Sequence, residues 1–156
     1  MRLSPCSSSI LCFSLFVAGC GVSTTGGPGP AAPASIDALF GHDVTFVADR
    51  AMSSTAMPGL PADPLAESDY TPMPQNKSYP VSFTADGQTV TVTGDKSMVG
   101  TWDQKAGNVR RYNLNDGTFA GGRFDVWAAQ AEIHGELTIY GSGVPIISSE
   151  RGTVVE

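Results

Sequence analysis

The chain has 156 residues, 15 acidic and 9 basic side chains and a formal net charge of −6, with three cysteines. That acidic balance excludes the phosphate backbone of nucleic acid as a natural partner and disfavours apposition of the folded part to anionic lipid. The length suits one domain once any targeting segment is removed.

The first element is Ser9 to Ala18, an apolar run preceded by Arg2 and followed by small residues, the shape of a signal peptide. A helix of that length rises about 15 Å, half of a hydrocarbon core about 30 Å thick, so it is too short for a permanent span. Val17-Ala18-Gly19-Cys20 resembles the lipobox of bacterial lipoproteins. The resemblance covers residues 1–20 and implies cleavage before Cys20, acylation of its thiol, and anchoring in a membrane of the cell envelope. In that family an aspartate after the cysteine favours inner-membrane retention. Gly21 stands there instead, which implies the outer membrane where the cell has one. Cys6 and Cys12 would leave with residues 1–19, so no thiol would remain for a disulfide, a thiolate metal ligand or a cysteine nucleophile. Residues 20–35 then read as the lipidated cysteine and an uncharged Gly/Pro/Ala/Ser/Thr tether that cannot bury enough surface to fold.

Residues 36–156 are expected to form a single all-β domain. Ile36 to Phe40 is weakly amphipathic, and Asp43 to Ala48 alternates as a first strand. Arg50 to Tyr79 carries five prolines and no clear period, so it reads as a long loop. Met52, Met57, Leu60, Leu65, Tyr70 and Met73 are candidates for a lid in that loop, although a loosely packed excursion is the simpler expectation.

From Pro80 onward the pattern sharpens. Val81 to Ala85 and Gln88 to Thr93 flank Asp86-Gly87, a dipeptide that tolerates positive φ, and make a hairpin. Met98 to Trp102 is a strand. Val109 to Leu114 and Thr118 to Trp127 flank Asn115-Asp116-Gly117, with Gly121-Gly122 marking a bulge or bend. Glu132 to Tyr140 alternates most regularly: Ile133, Gly135, Leu137 and Ile139 face one way, and Glu132, His134, Glu136, Thr138 and Tyr140 the other. Val144 to Ser149 is a further strand, which Thr153 to Val155 either completes or follows as a separate one. About seven to nine strands joined by short turns predict an antiparallel meander, closed as a small barrel or half-barrel, with a β-sandwich as the alternative.

Gly100-Thr101-Trp102, Arg111-Tyr112-Asn113-Leu114 and Asp116-Gly117-Thr118-Phe119 look like the opening of small lipocalin-like bacterial lipoproteins. That resemblance implies a barrel and a role as carrier of a small apolar ligand. Too few residues follow Trp102 for a full barrel beginning there, so earlier strands must complete the sheet.

Three constellations are candidates for chemistry. Glu132, His134 and Glu136 share one strand face at about 6.6 Å per step, a spacing at which oxygen and nitrogen donors bind a divalent metal or tune an imidazole for hydrolysis. Polar alternation on a solvated sheet face explains the same pattern. Arg110 and Arg111, with Arg123, Asp125 and Trp127 on the next strand, either line a pocket or pair across the hairpin and stack on Trp127 or Tyr112, and pairing is preferred. His42-Asp43 is the weakest. No nucleophile elbow, phosphate loop or metal-ligand spacing accompanies them, so neither an enzyme nor a cofactor is expected. The reading is a lipid-anchored envelope protein acting as a binding or structural module, with an envelope protein or small apolar ligand as partner. A lipocalin-like carrier of a small apolar ligand and a metal-dependent hydrolase centred on His134 are the alternatives.

Overall fold

Eight strands follow one another in the computed structural model, which describes residues 34–56, 64–94, 97–106, 108–117, 120–140 and 146–156. They are β1 (Asp43–Ala56), β2 (Thr71–Phe83), β3 (Thr89–Thr93), β4 (Ser97–Ala106), β5 (Val109–Asp116), β6 (Arg123–Ala129), β7 (Glu132–Tyr140) and β8 (Ile146–Val155). Each pairs antiparallel with the next, and β8 pairs with β1, so the meander closes into a barrel. The lipobox, most of the tether, and Met57, Leu60, Thr118 and Phe119 lie outside the described residues.

Alternation decides what lies inside. Phe46, Phe124, Val126, Leu137, Val90 and Val92 are fully buried, and rings from non-neighbouring strands meet across the barrel. Phe46 of β1 sets its edge against Phe124 of β6 at 5.3 Å between centroids, and Phe83 of β2 meets Tyr112 of β5 at 5.8 Å. Gly135 is glycine for the same reason, because a Cβ there would stand 2.9 Å from the Phe46 ring.

One end is covered by a 3-10 turn, Ile36–Leu39, which sends Leu39 into the core and sets Phe40 against it. Phe40 occupies the space that a side chain on Gly87 would need, and Gly87, at φ +65°, forms the β2–β3 turn anticipated at Asp86-Gly87. The Tyr112 hydroxyl donates to the Gly87 carbonyl at 2.8 Å, tying that turn to β5. Trp102 is half-buried against the core beside the same turn, its backbone N–H donating to Gln88 at 2.5 Å. Three strands precede β4, which holds Gly100-Thr101-Trp102, and this is how the barrel completes itself despite the short remainder of the chain.

The expected loop at 50–79 is corrected on both sides. β1 runs on to Ala56 through a bulge between Ala48 and Arg50, and β2 begins at Thr71. The bulge breaks the two-residue period, and Pro72, Pro74 and Pro80 lie within β2 where a strand reading does not expect them. β2 accommodates them because its pairing with β3 covers only Val81–Phe83, while Asp43 to Ala51 of β1 pair with much of its length. One smaller correction concerns β6, which starts at Arg123, after a turn with Gly121 at φ +89°. Of the two expectations for the C-terminus the structure has the single strand, in which Ile146 to Ser149 continue through Thr153 to Val155, while Val144 and Pro145 lie outside the described residues.

Candidate functional site: a buried charge network on the outward face

The residues that alternate with the interior set on β5 to β8 point outward, yet half of them are buried. Arg111, Asp125, Glu136 and Arg151 stand opposite one another in a single transverse row across four strands, and the row continues to Arg50 of β1. Arg111 donates through Nε and Nη2 to the two Asp125 carboxylate oxygens, both at 2.9 Å, the bidentate fork that a guanidinium makes best. Arg123 Nε lies 3.2 Å from Asp125 Oδ2, and its Nη2 lies 3.9 Å from Glu136 Oε1. Arg151 donates to Glu136 Oε2 through Nη2 at 2.5 Å and Nε at 3.2 Å. Asp125 and Glu136 have no exposed surface, so guanidinium groups stand where water would otherwise satisfy their carboxylate oxygens.

The cover comes from the segment between β1 and β2. Leu65 and Tyr70 are buried together with Met52 and Ile147, and Tyr140 packs against them. The Leu65 carbonyl accepts a hydrogen bond from Arg151 Nη2, and the Tyr70 hydroxyl lies 2.6 Å from Ser149 Oγ, which lies 3.0 Å from Thr138 Oγ1. Arg151 is sandwiched between the rings of Tyr70, at 4.2 Å, and Trp127, at 5.4 Å. Pro64 to Tyr70 is therefore a strap pinned across the barrel, in place of the loosely packed excursion expected there. Of the lid candidates, Met52, Leu65 and Tyr70 form this outer cluster, whereas Met73 packs against the interior core.

Burial governs the protonation chemistry. Desolvation is the main force pulling the Arg123 guanidinium below its ordinary value; Asp125 opposes it and Arg111 reinforces it. Desolvation, seconded by the Glu136 charge, pushes the Tyr70 hydroxyl far above the ordinary tyrosine range, so it stays protonated.

The alternation expected for Glu132, His134 and Glu136 is present, but the solvated face is not. Glu132 is exposed, His134 is half-buried and stacks on Trp127 at 5.7 Å with Glu132 at 3.8 Å, and Glu136 is fully buried against Arg151. The three do not converge, and among the described residues no group of three His, Cys, Asp or Glu side chains is placed to hold a metal ion. The paired reading of Arg111, Arg123 and Asp125 holds, with Trp127 stacking on Arg151. Arg110 turns to the interior side and stacks over Phe40 at 4.5 Å. His42 and Asp43 are both exposed, and Asp43 accepts a hydrogen bond from Ser82 at 2.5 Å.

Sequence reasoning missed Glu67, Glu150 and Arg151. Glu150 faces the interior side, where Tyr79 donates to it at 2.5 Å and Lys77 pairs with it. The available signal was Glu150-Arg151-Gly152 interrupting an apolar strand, a pattern that marks partnered charge more often than a strand break. No known family model, curated protein or solved structure matches this chain.

Proposed function

We propose that the chain is a cell-envelope protein held to the membrane by acyl chains on Cys20, and that its barrel serves as a binding or structural module working through its outer surface. The supporting observation is the meeting of Phe46 with Phe124 and of Phe83 with Tyr112 across the barrel, which fills the space an enclosed apolar ligand would need. The carrier reading draws on a different observation, the closed meander of eight consecutive strands. A hydrolase centred on His134 draws no support from Glu136, whose carboxylate is bound by Arg151.

Two experiments test the proposal. Cells fed labelled palmitate should label the wild type and not Cys20→Ser, because a hydroxyl is a far poorer nucleophile than a thiolate; a labelled serine variant overturns the anchor. A fluorescent fatty-acid analogue titrated against the protein should not saturate. Saturable binding that raises the melting temperature makes the chain a carrier instead.

A further inference from the structure

Arg50 and Arg151 are directly opposite each other on β1 and β8. Like charges in that position repel unless an anion lies between them. The anion here comes from the strap: Glu67 Oε2 accepts from Arg151 Nη1 at 2.8 Å, and Glu67 Oε1 pairs with Arg50 Nη1. Each guanidinium is already oriented by other partners. Arg50 Nε donates to Asp49 at 3.2 Å, while Arg151 Nε and Nη2 are committed to Glu136 and the Leu65 carbonyl. One Nη1 from each arginine thus converges on a single carboxylate, with Asp49 and Glu136 holding the two guanidiniums independently of the strap. Exposure separates the two sides of the contact. The Arg151 side chain is 7% exposed and that of Arg50 is 35% exposed, but the Glu67 side chain is 61% exposed, so the carboxylate enters from solvent onto a built floor.

We propose that Arg50 and Arg151 form a carboxylate-binding site on the outer face of the barrel, with Glu67 as its resident intramolecular occupant. The ligand is a carboxylate group borne by another molecule, which binds by displacing Glu67 and leaves the arginines and their remaining partners where they stand. The choice of a carboxylate follows from the occupant, whose two oxygens each take one guanidinium N–H in the manner of a bridge between two forks. Because Glu67 is tethered, it competes at an effective concentration in the millimolar range or above, so the site is closed to weak ligands in the resting protein. This inference does not depend on lipidation or on the filled interior.

The test is rescue of a deleted carboxylate by a free one. In Glu67→Ala, sodium acetate should raise the melting temperature along a saturating curve, while sodium chloride at equal ionic strength should not. The wild type should need at least about tenfold more acetate for the same rise. Adding Arg50→Ala to Glu67→Ala should abolish the response. Equal responses to acetate and chloride, or an acetate response that survives loss of Arg50, would show Glu67 to be a structural staple and overturn the proposal. Should Glu67→Ala fail to fold, Glu67→Gln keeps the volume of the strap residue, and acetate should then shift the arginine Nε–Hε resonances of Arg50 and Arg151 together. Unmoved resonances would be equally fatal.

Discussion

The two faces of β5 to β8 are buried to nearly the same degree by unlike means. Inside, Tyr112, Phe124 and Leu137 lie in one transverse row and are buried by the rest of the barrel. Outside, the adjacent row of Arg111, Asp125, Glu136 and Arg151 is buried largely under side chains that must satisfy one another. Apolar burial is tolerant, since any group of suitable shape gains from leaving water. Charged burial is exacting, since removing one member strands its partner in a site that water cannot reach. The same strands thus carry a forgiving face and an unforgiving one.

The largest test of that contrast is a pair of truncations. Asp125→Leu should cost about 3–5 kcal/mol, because Arg111 loses both of its carboxylate bonds, and Phe124→Ala should cost a similar 3–5 kcal/mol through the cavity it leaves. Urea unfolding measures both. The faces part company on repair. Arg111→Met combined with Asp125→Leu should recover part of that loss, since an apolar pair replaces two desolvated charges while Arg123 still loses the Asp125 oxygen 3.2 Å from its Nε. A double variant no better than Asp125→Leu alone would show that the row is valued for more than its charge balance.

Tyr70→Phe should have a smaller effect, about 1 kcal/mol, for the loss of one buried hydrogen bond to Ser149. Its pH signature is more telling. The folded-state pKa of Tyr70 lies above the ordinary value of 10.0, so its contribution to stability is complete below pH 10 and is lost as the pH rises further. Tyr112 is shifted in the same direction, chiefly by burial, so the alkaline loss should shrink in Tyr70→Phe without disappearing. The smallest effect is expected at Asp86, which is exposed and whose carboxylate accepts from Thr84 Oγ1 at 2.6 Å and Gln88 N at 3.0 Å. Those bonds hold its pKa below 3.8, so its contribution is present above that pH and fades as the pH falls through the lower folded-state value. Asp86→Asn should flatten the acid limb slightly and leave the alkaline limb unchanged.

How much of this was legible follows from what alternation reports. In β7 the period of two sorts Gly135 and Leu137 from His134, Glu136 and Thr138 correctly, because side-chain direction is a local property of the strand. It is silent on what lies above each face. Glu136 reads as solvated because its cover, Leu65 to Tyr70, comes from about 70 residues earlier in the chain. The turns at Asp86-Gly87 and Gly117 were legible because positive φ restricts residue choice. The continuation of β1 past Ala48 was not, because a bulge shifts the period and the continuation is then held by pairing with β8, a partner about a hundred residues away. Glu67 was beyond reach for the same reason: nothing local to Glu67-Ser68-Asp69 announces two arginines from different strands.

The short pairing between β2 and β3 has a consequence for life in a crowd. β3 meets only Val81–Phe83, and the Pro80 carbonyl is taken by the Thr93 hydroxyl, so much of β2 has no ladder with β3. A bare strand border is ordinarily an invitation to the same border of the next molecule. On this border Pro72, Pro74 and Pro80 contribute no N–H, and an approaching strand finds gaps where a continuous zipper needs donors. Replacing those prolines with threonine should therefore leave the monomer's melting nearly unchanged while promoting fibrillar association at high concentration, the condition that confinement to a two-dimensional surface would impose.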